Sequence, residues 1–257
     1  MTRFNYLTLF PDMFGMLNTS MIKKAVDHGL IELTCLDIRD FSKNKHKKVD
    51  DYPYGGGCGM IMTCQPVLSA FESLEKGQHC IYLSAKGERL TQKKVLDLSR
   101  HENLTMLCGH YEGIDQRALD AIVDEEISIG DYVLTGGELP AMVLTDAIVR
   151  VLPGVLASEE AVTGESHYSG LLEHPQYTRP ETFNECQVPE ILLSGNHREI
   201  ERFRHLQSLV TTYLARPDML MERGLSEEEG EMLAREIPEI QKEMHRFMRK
   251  GDEPCTD

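Results

Sequence analysis

Three glycine-bearing segments have the residue types of a ligand cradle: Ser84-Ala85-Lys86-Gly87, Gly109-His110-Tyr111-Glu112-Gly113, and Gly130-Asp131 with Thr135-Gly136-Gly137-Glu138. Each follows an apolar, strand-like run, over Cys80–Leu83, Leu104–Cys108 and Glu126–Ile129. Glycine lets a backbone approach a ligand closely and adopt positive φ. Open α/β sheets bind ligands outside the carboxyl ends of their strands. One such loop is more often a plain turn, but three on one sheet edge favour a site. The dinucleotide fingerprint G-x-G-x-x-G and the phosphate loop are both missing. From Asp120 to Glu173 the chain has eleven carboxylates and one cation of the Lys/Arg type, Arg150. That field disfavours a phosphate-rich ligand and tolerates a cationic one such as a sulfonium. Arg150 itself reads either as a helix-end arginine or one paired with a carboxylate, or as a guanidinium held to stabilise developing negative charge.

A second group of residues suits RNA. Lys43, Lys45, His46, Lys47 and Lys48 precede Asp50-Asp51-Tyr52-Pro53-Tyr54-Gly55-Gly56-Gly57-Cys58-Gly59-Met60. Tyrosines on a flexible glycine loop beside cations can stack on bases. His197, Arg198, Arg202, Arg204 and His205 form another basic patch. The net charge of −15 excludes a generally adhesive nucleic-acid binder, so any RNA contact is local. On charge alone, a solvated face is the favoured explanation of each patch.

The elements that must position these groups alternate through the first two-thirds of the chain. Strand patterns cover Phe4–Phe10, Ile31–Ile38, Cys80–Leu83, Leu104–Cys108, Glu126–Ile129 and a short Tyr132–Leu134. Helical patterns cover Met21–His28, with Ser20 as N-cap, then Gln65–Leu74, Thr91–Ser99 and Asp115–Val123. This order predicts a parallel sheet with helices on both faces. Leu139–Leu152 is apolar almost all round and reads as a buried helix with proline in its first turn. From Val155 to about Pro189 no period holds. Beyond it come helices over Arg198–Ala215 and from Ser226, where Glu227-Glu228-Glu229 marks a capped start. The expected organisation is a first domain over 1–160, a linker over 161–187 and a helical domain over 188–257. No apolar run approaches the roughly 20 residues of a membrane span, so a cytoplasmic protein with no membrane partner is expected. The seven cysteines contain no C-x-x-C pair and read as buried reduced thiols. No residue is assigned as a metal ligand.

Gly130-Asp131-Tyr132-Val133-Leu134-Thr135-Gly136-Gly137-Glu138-Leu139-Pro140-Ala141-Met142 resembles the hallmark of the bacterial tRNA (guanine-37-N1)-methyltransferase family. Asp51 to Met62, Gly109 to Asp115, Gly170 to Pro180 and Leu193 to His197 are similar to that family in the same order, so the resemblance covers nearly the whole chain. It implies a trefoil-knotted SPOUT α/β domain with a small all-helical C-terminal domain that grips tRNA. It implies a homodimer that binds S-adenosylmethionine in the knot, acts on guanosine 37 of tRNA rather than on DNA, and is assisted by magnesium.

Carried over by position, the resemblance places the methyl donor against Tyr82, Leu83, Ser84, Gly109, Tyr111, Glu112, Ser128, Ile129, Gly130, Tyr132, Val133, Leu134, Gly136, Gly137 and Pro140. It gives Arg150 the guanine O6 and Glu165 the role of general base, where the family has aspartate. His110 stands in place of a usual arginine and Ala85 in place of a usual proline. Three rival readings are a knotted methyltransferase acting on another RNA atom, an RNA-binding relative without catalysis, and a nucleotide-binding protein, which the missing phosphate loop disfavours.

Overall fold

The computed structural model describes residues 1–156 and 165–248, so Glu159, Glu160 and Cys255 lie outside the described residues. The chain separates into two compact units, Met1–Glu159 and Glu160–Asp257.

The first unit is built on five parallel strands in the order β2-β1-β6-β5-β7. These are β1 (Thr2–Thr8), β2 (Ile31–Asp37), β5 (His79–Arg89), β6 (Asn103–Leu107) and β7 (Glu125–Ser128). A two-strand ladder, β3 (Asp50–Asp51) with β4 (Ile61–Met62), carries the tyrosine-glycine loop. Alternating side chains of the sheet feed two cores. Phe4, Tyr6, Ile81 and Met106 join residues of α1 (Ser20–Asp27), α3 (Gln92–Leu98) and α5 (Glu138–Val151). Leu7, Cys80, Tyr82 and Leu107 join residues of α2 (Cys64–Glu72) and α4 (Gln116–Ile122). Helices on both faces of a parallel sheet are what the β-α alternation predicts.

Local chemistry explains most boundaries. The Thr91 hydroxyl caps α3 and the Asp115 carboxylate caps α4. The N-cap of α1 is Thr19, not Ser20, and it makes no side-chain cap bond. The expected strand over Tyr132–Leu134 is irregular backbone instead: the Tyr132 N–H donates to the Gly130 carbonyl at 2.9 Å, which curls the chain out of any ladder. Helix α5 is not buried all round. Ala141, Leu144, Thr145 and Ile148 face the core, whereas Leu139, Val143, Asp146 and Arg150 form an exposed stripe. Of the described cysteines only Cys80 and Cys108 are buried. Cys35, Cys58 and Cys186 are exposed, on an edge strand, in the glycine loop and in a hairpin, so the expectation of buried thiols fails there. Burial pushes the Cys80 thiol up to about 12.

The second unit contains a short hairpin, β8 (Thr182–Phe183) with β9 (Cys186–Gln187), then α6 (His197–Ala215), α7 (Pro217–Arg223) and α8 (Glu227–Glu236). Leu171, Leu209, Leu220, Leu225, Leu233, Ile240 and Phe247 form its core. Ser226 and Glu229 make a reciprocal capping box at the start of α8. The described part of the expected linker, 165–187, lies in this unit. Among the described residues no helix is long and apolar enough to cross a membrane.

Candidate active site

The three glycine segments meet at the carboxyl edge of the sheet. β5 leaves its ladder after Leu83 and rejoins it at Glu88, both residues standing opposite Ile127. The strand read as Cys80–Leu83 is therefore one strand with a bulge, and Ser84 to Gly87 swing out as its wall. The segment after β6 and the turn before α5 lie against each other: the Gly137 N–H donates to the Gly109 carbonyl at 3.0 Å. A Cβ on Gly137 would stand 2.7 Å from the Cys108 Cα, so this backbone-to-backbone approach requires glycine.

Between these loops lies a cavity of about 220 Å³. Its lining includes Tyr82 to Ser84, Gly109, Tyr111, Glu112, Ser128 to Gly130, Tyr132 to Leu134, Gly136, Gly137 and Pro140. The structure thus brings together every residue that the resemblance assigns to the donor. Ala85, His110, Gly113 and Thr135 complete the loops, and Ile127 adds a strand residue that nothing in the sequence marks as more than core. No lysine or arginine lines the cavity among the described residues, whereas Glu112 does.

A buried polar group ties the loops from beneath. Glu138, 1% exposed in the first turn of α5, accepts from the Thr8 hydroxyl at 2.6 Å and sits 2.8 Å from His110 Nε2. The Phe10 ring packs on His110 at 4.7 Å, and the Arg39 guanidinium lies over Phe10. A carboxylate removed from water needs such partners. Burial pushes the Tyr82 phenol above its ordinary range, so the ring beneath Gly109 stays neutral.

The family model for tRNA (guanine-1)-methyltransferase TrmD matches residues 2–222. The chain belongs to this family. It is similar to the tRNA (guanine-N(1)-)-methyltransferase of Alkaliphilus metalliredigens, 54% identical over 89% of this chain and 95% of the relative. The protein of the same name from Ruminiclostridium cellulolyticum is 54% identical over 84% of this chain and 95% of its own length. That of Bacillus cereus strain AH820 is 50% identical over 90% and 97%. The chain is accordingly an enzyme of the tRNA (guanine-N1)-methyltransferase class.

In this methyltransferase Arg150 stands in the last turn of α5, exposed. Glu165 stands in the second unit, half-buried. The turn that holds Glu165 is fixed at several points. The Ser166 hydroxyl accepts from the Glu173 N–H at 2.9 Å, the His167 N–H donates to the Leu171 carbonyl, and the Leu172 N–H donates to the Thr212 hydroxyl.

The tyrosine-glycine loop presents Tyr52 and Tyr54 almost fully to solvent. It is anchored to the cavity, because the Glu112 N–H donates to the Met60 carbonyl at 3.0 Å. Gly59, at φ +84°, abuts the Glu112 side chain where a Cβ would collide at 2.4 Å. Of the neighbouring cations, Lys47 pairs with Asp40 and Lys48 with Asp51, while Lys43 and Lys45 have no ion pair among the described residues.

Proposed function

We propose that this enzyme methylates N1 of guanosine 37 in tRNA, with S-adenosylmethionine in the glycine cavity, Glu165 as general base and Arg150 at the guanine O6. The observation that carries the donor assignment is the lining: close-packed glycine backbone, one carboxylate at Glu112, and no lysine or arginine among its described residues. Such a lining suits a sulfonium and an ammonium better than phosphates. S-adenosylmethionine supplies an electrophilic methyl group when bound.

Guanine N1 bears a proton and is a poor nucleophile until it loses it. In this reading the Glu165 carboxylate takes that proton as O6 gains negative charge, and the Arg150 guanidinium stabilises the oxygen. The loops would position the donor's methyl group against N1, which would supply much of the rate. The tyrosine-glycine loop and the patch from His197 to His205 contact the RNA. Among the described residues no three His, Cys, Asp or Glu side chains stand together as a metal-holding group.

The same reading carries the trefoil-knotted SPOUT topology, a cytoplasmic location and a homodimer. The stripe of α5 bearing Leu139 and Val143, with Val133 86% exposed nearby in sequence, supports the dimer as an apolar surface in need of cover. Glu165→Gln is expected to lower single-turnover methylation about 10²–10⁴-fold while leaving donor affinity unchanged, and Glu165→Asp to keep measurable activity. A Glu165→Gln enzyme that methylates at the parent rate with donor saturating would move the base elsewhere, with Glu112 the next to test.

A further inference from the structure

We propose that the second unit carries its own nucleotide subsite, a cleft that takes one nucleotide of the RNA by phosphate and base together. The inference rests on tRNA being the substrate and names where on this unit a nucleotide is held. The unit's described arginines fall into two groups by their partners. Arg216, Arg223, Arg235 and Arg246 each pair with a carboxylate, Asp218, Glu229, Glu231 and Glu243 respectively. Arg179, Arg198, Arg202 and Arg204 have no ion pair among the described residues, although the chain carries a net charge of −15. A merely solvated basic face on so acidic a protein would be expected to collect carboxylates as the other four arginines do.

Two of these four, Arg179 and Arg204, line one cleft. Its volume is about 470 Å³, within the range of about 300–1,000 Å³ typical of small-ligand sites. Leu192 and Leu193 give it an apolar wall, and Tyr177, half exposed, offers a ring face. Glu181 lines the same cleft but forms no ion pair with either arginine.

The parts complement a nucleotide. A guanidinium binds phosphate oxygens bidentately, an aromatic face stacks on any base, and a carboxylate accepts from the N–H edge of guanine or cytosine. The cleft is also preorganised. The Leu172 N–H is held by Thr212 on α6, the Val188 N–H donates to the Glu181 carbonyl at 2.9 Å, and the Leu192 N–H donates to the Pro189 carbonyl. Ordering costs are thereby lowered before RNA arrives.

The test uses the full-length enzyme with unmodified tRNA, measuring binding across a salt series with donor affinity and thermal melting as folding controls. Arg179→Gln and Arg204→Gln should each reduce the slope of log affinity against log salt by about one. Tyr177→Ala should weaken binding about 5- to 150-fold at every salt concentration, leave the slope unchanged and be rescued by Tyr177→Trp. Variants that keep the parent slope and affinity overturn the subsite, even if the parent methylates guanine N1. Equal weakening of heparin binding by Tyr177→Ala also overturns it, since a polyanion without bases has nothing to stack. A parent that binds tRNA normally but methylates no guanine N1 defeats the assigned reaction and leaves the salt-series result to decide the subsite.

Discussion

At the residue scale the His110–Glu138 contact is the most exacting feature of the site. Both oxygens of a carboxylate that is 1% exposed are used, one by Thr8 and one by His110. His110→Ala strands one oxygen where water has little access, a loss of about 1–3 kcal/mol. It also removes a tie between the loops after β6 and before α5, so donor affinity should fall along with the melting temperature. His110→Arg, which puts back the residue that the family resemblance places there, should restore both. Calorimetric melting with a donor titration checks this, and an alanine variant matching the parent in both would contradict it. The sequence marks His110 as a departure and Glu138 as a loop residue. It does not reveal the pair, because the partners lie 28 residues apart and meet only once β6 and α5 are docked.

At the element scale the helix caps connect local sequence to pH behaviour. Burial pushes the Glu229 carboxyl up, yet Arg223, the Ser226 N–H and His205 outweigh it and hold it down to about 2. A carboxyl whose folded value lies below its unfolded value of about 4.3 stabilises the fold above that pH, and the contribution is lost as pH falls towards 2. The second unit should therefore loosen across that window. Hydrogen exchange in α8 measured at successive pH values reads it directly. Glu229→Gln should abolish that pH dependence and lower stability at neutral pH by about 1–3 kcal/mol. Exchange in α8 that does not change across the window would contradict the assignment. The capping box was legible because Ser226 and Glu229 are three residues apart and serve one helix end. The Arg223 partner was not, since it belongs to the preceding helix. The bulge in β5 was hidden for a similar reason: Leu83 and Glu88 share Ile127 only across the ladder. The curl at Tyr132 came from a local hydrogen bond that an apolar triplet does not announce.

At the scale of the whole molecule, the alternation of the first unit and the helices α6 and α8 of the second were legible from periodicity, because burial on a sheet or a helix face imposes it; α7 (Pro217–Arg223), only seven residues long, was not. Which groups converge on the cavity was legible only through the rule that ligands sit at the carboxyl ends of strands and through the family resemblance. The exposed stripe on α5 was not, because an all-round apolar helix reads as buried whether its cover is the same chain or another. Val143 is 48% exposed. If a second copy covers it, Val143→Arg should convert a dimer to a folded monomer in sedimentation at micromolar concentration and cost most of the activity. A parent that is already an active monomer would contradict the dimer.

The central claim is that this chain moves a methyl group to N1 of one guanine in tRNA, and methyl mapping tests it most directly. The enzyme is incubated with isotopically labelled S-adenosylmethionine and unmodified tRNA, and the labelled nucleoside is located by nuclease digestion and mass spectrometry. The account predicts label in 1-methylguanosine at position 37 and nowhere else, lost when Glu165 is replaced by glutamine. Label on a ribose hydroxyl, on another base atom or at another position, or donor binding with no transfer, would contradict it.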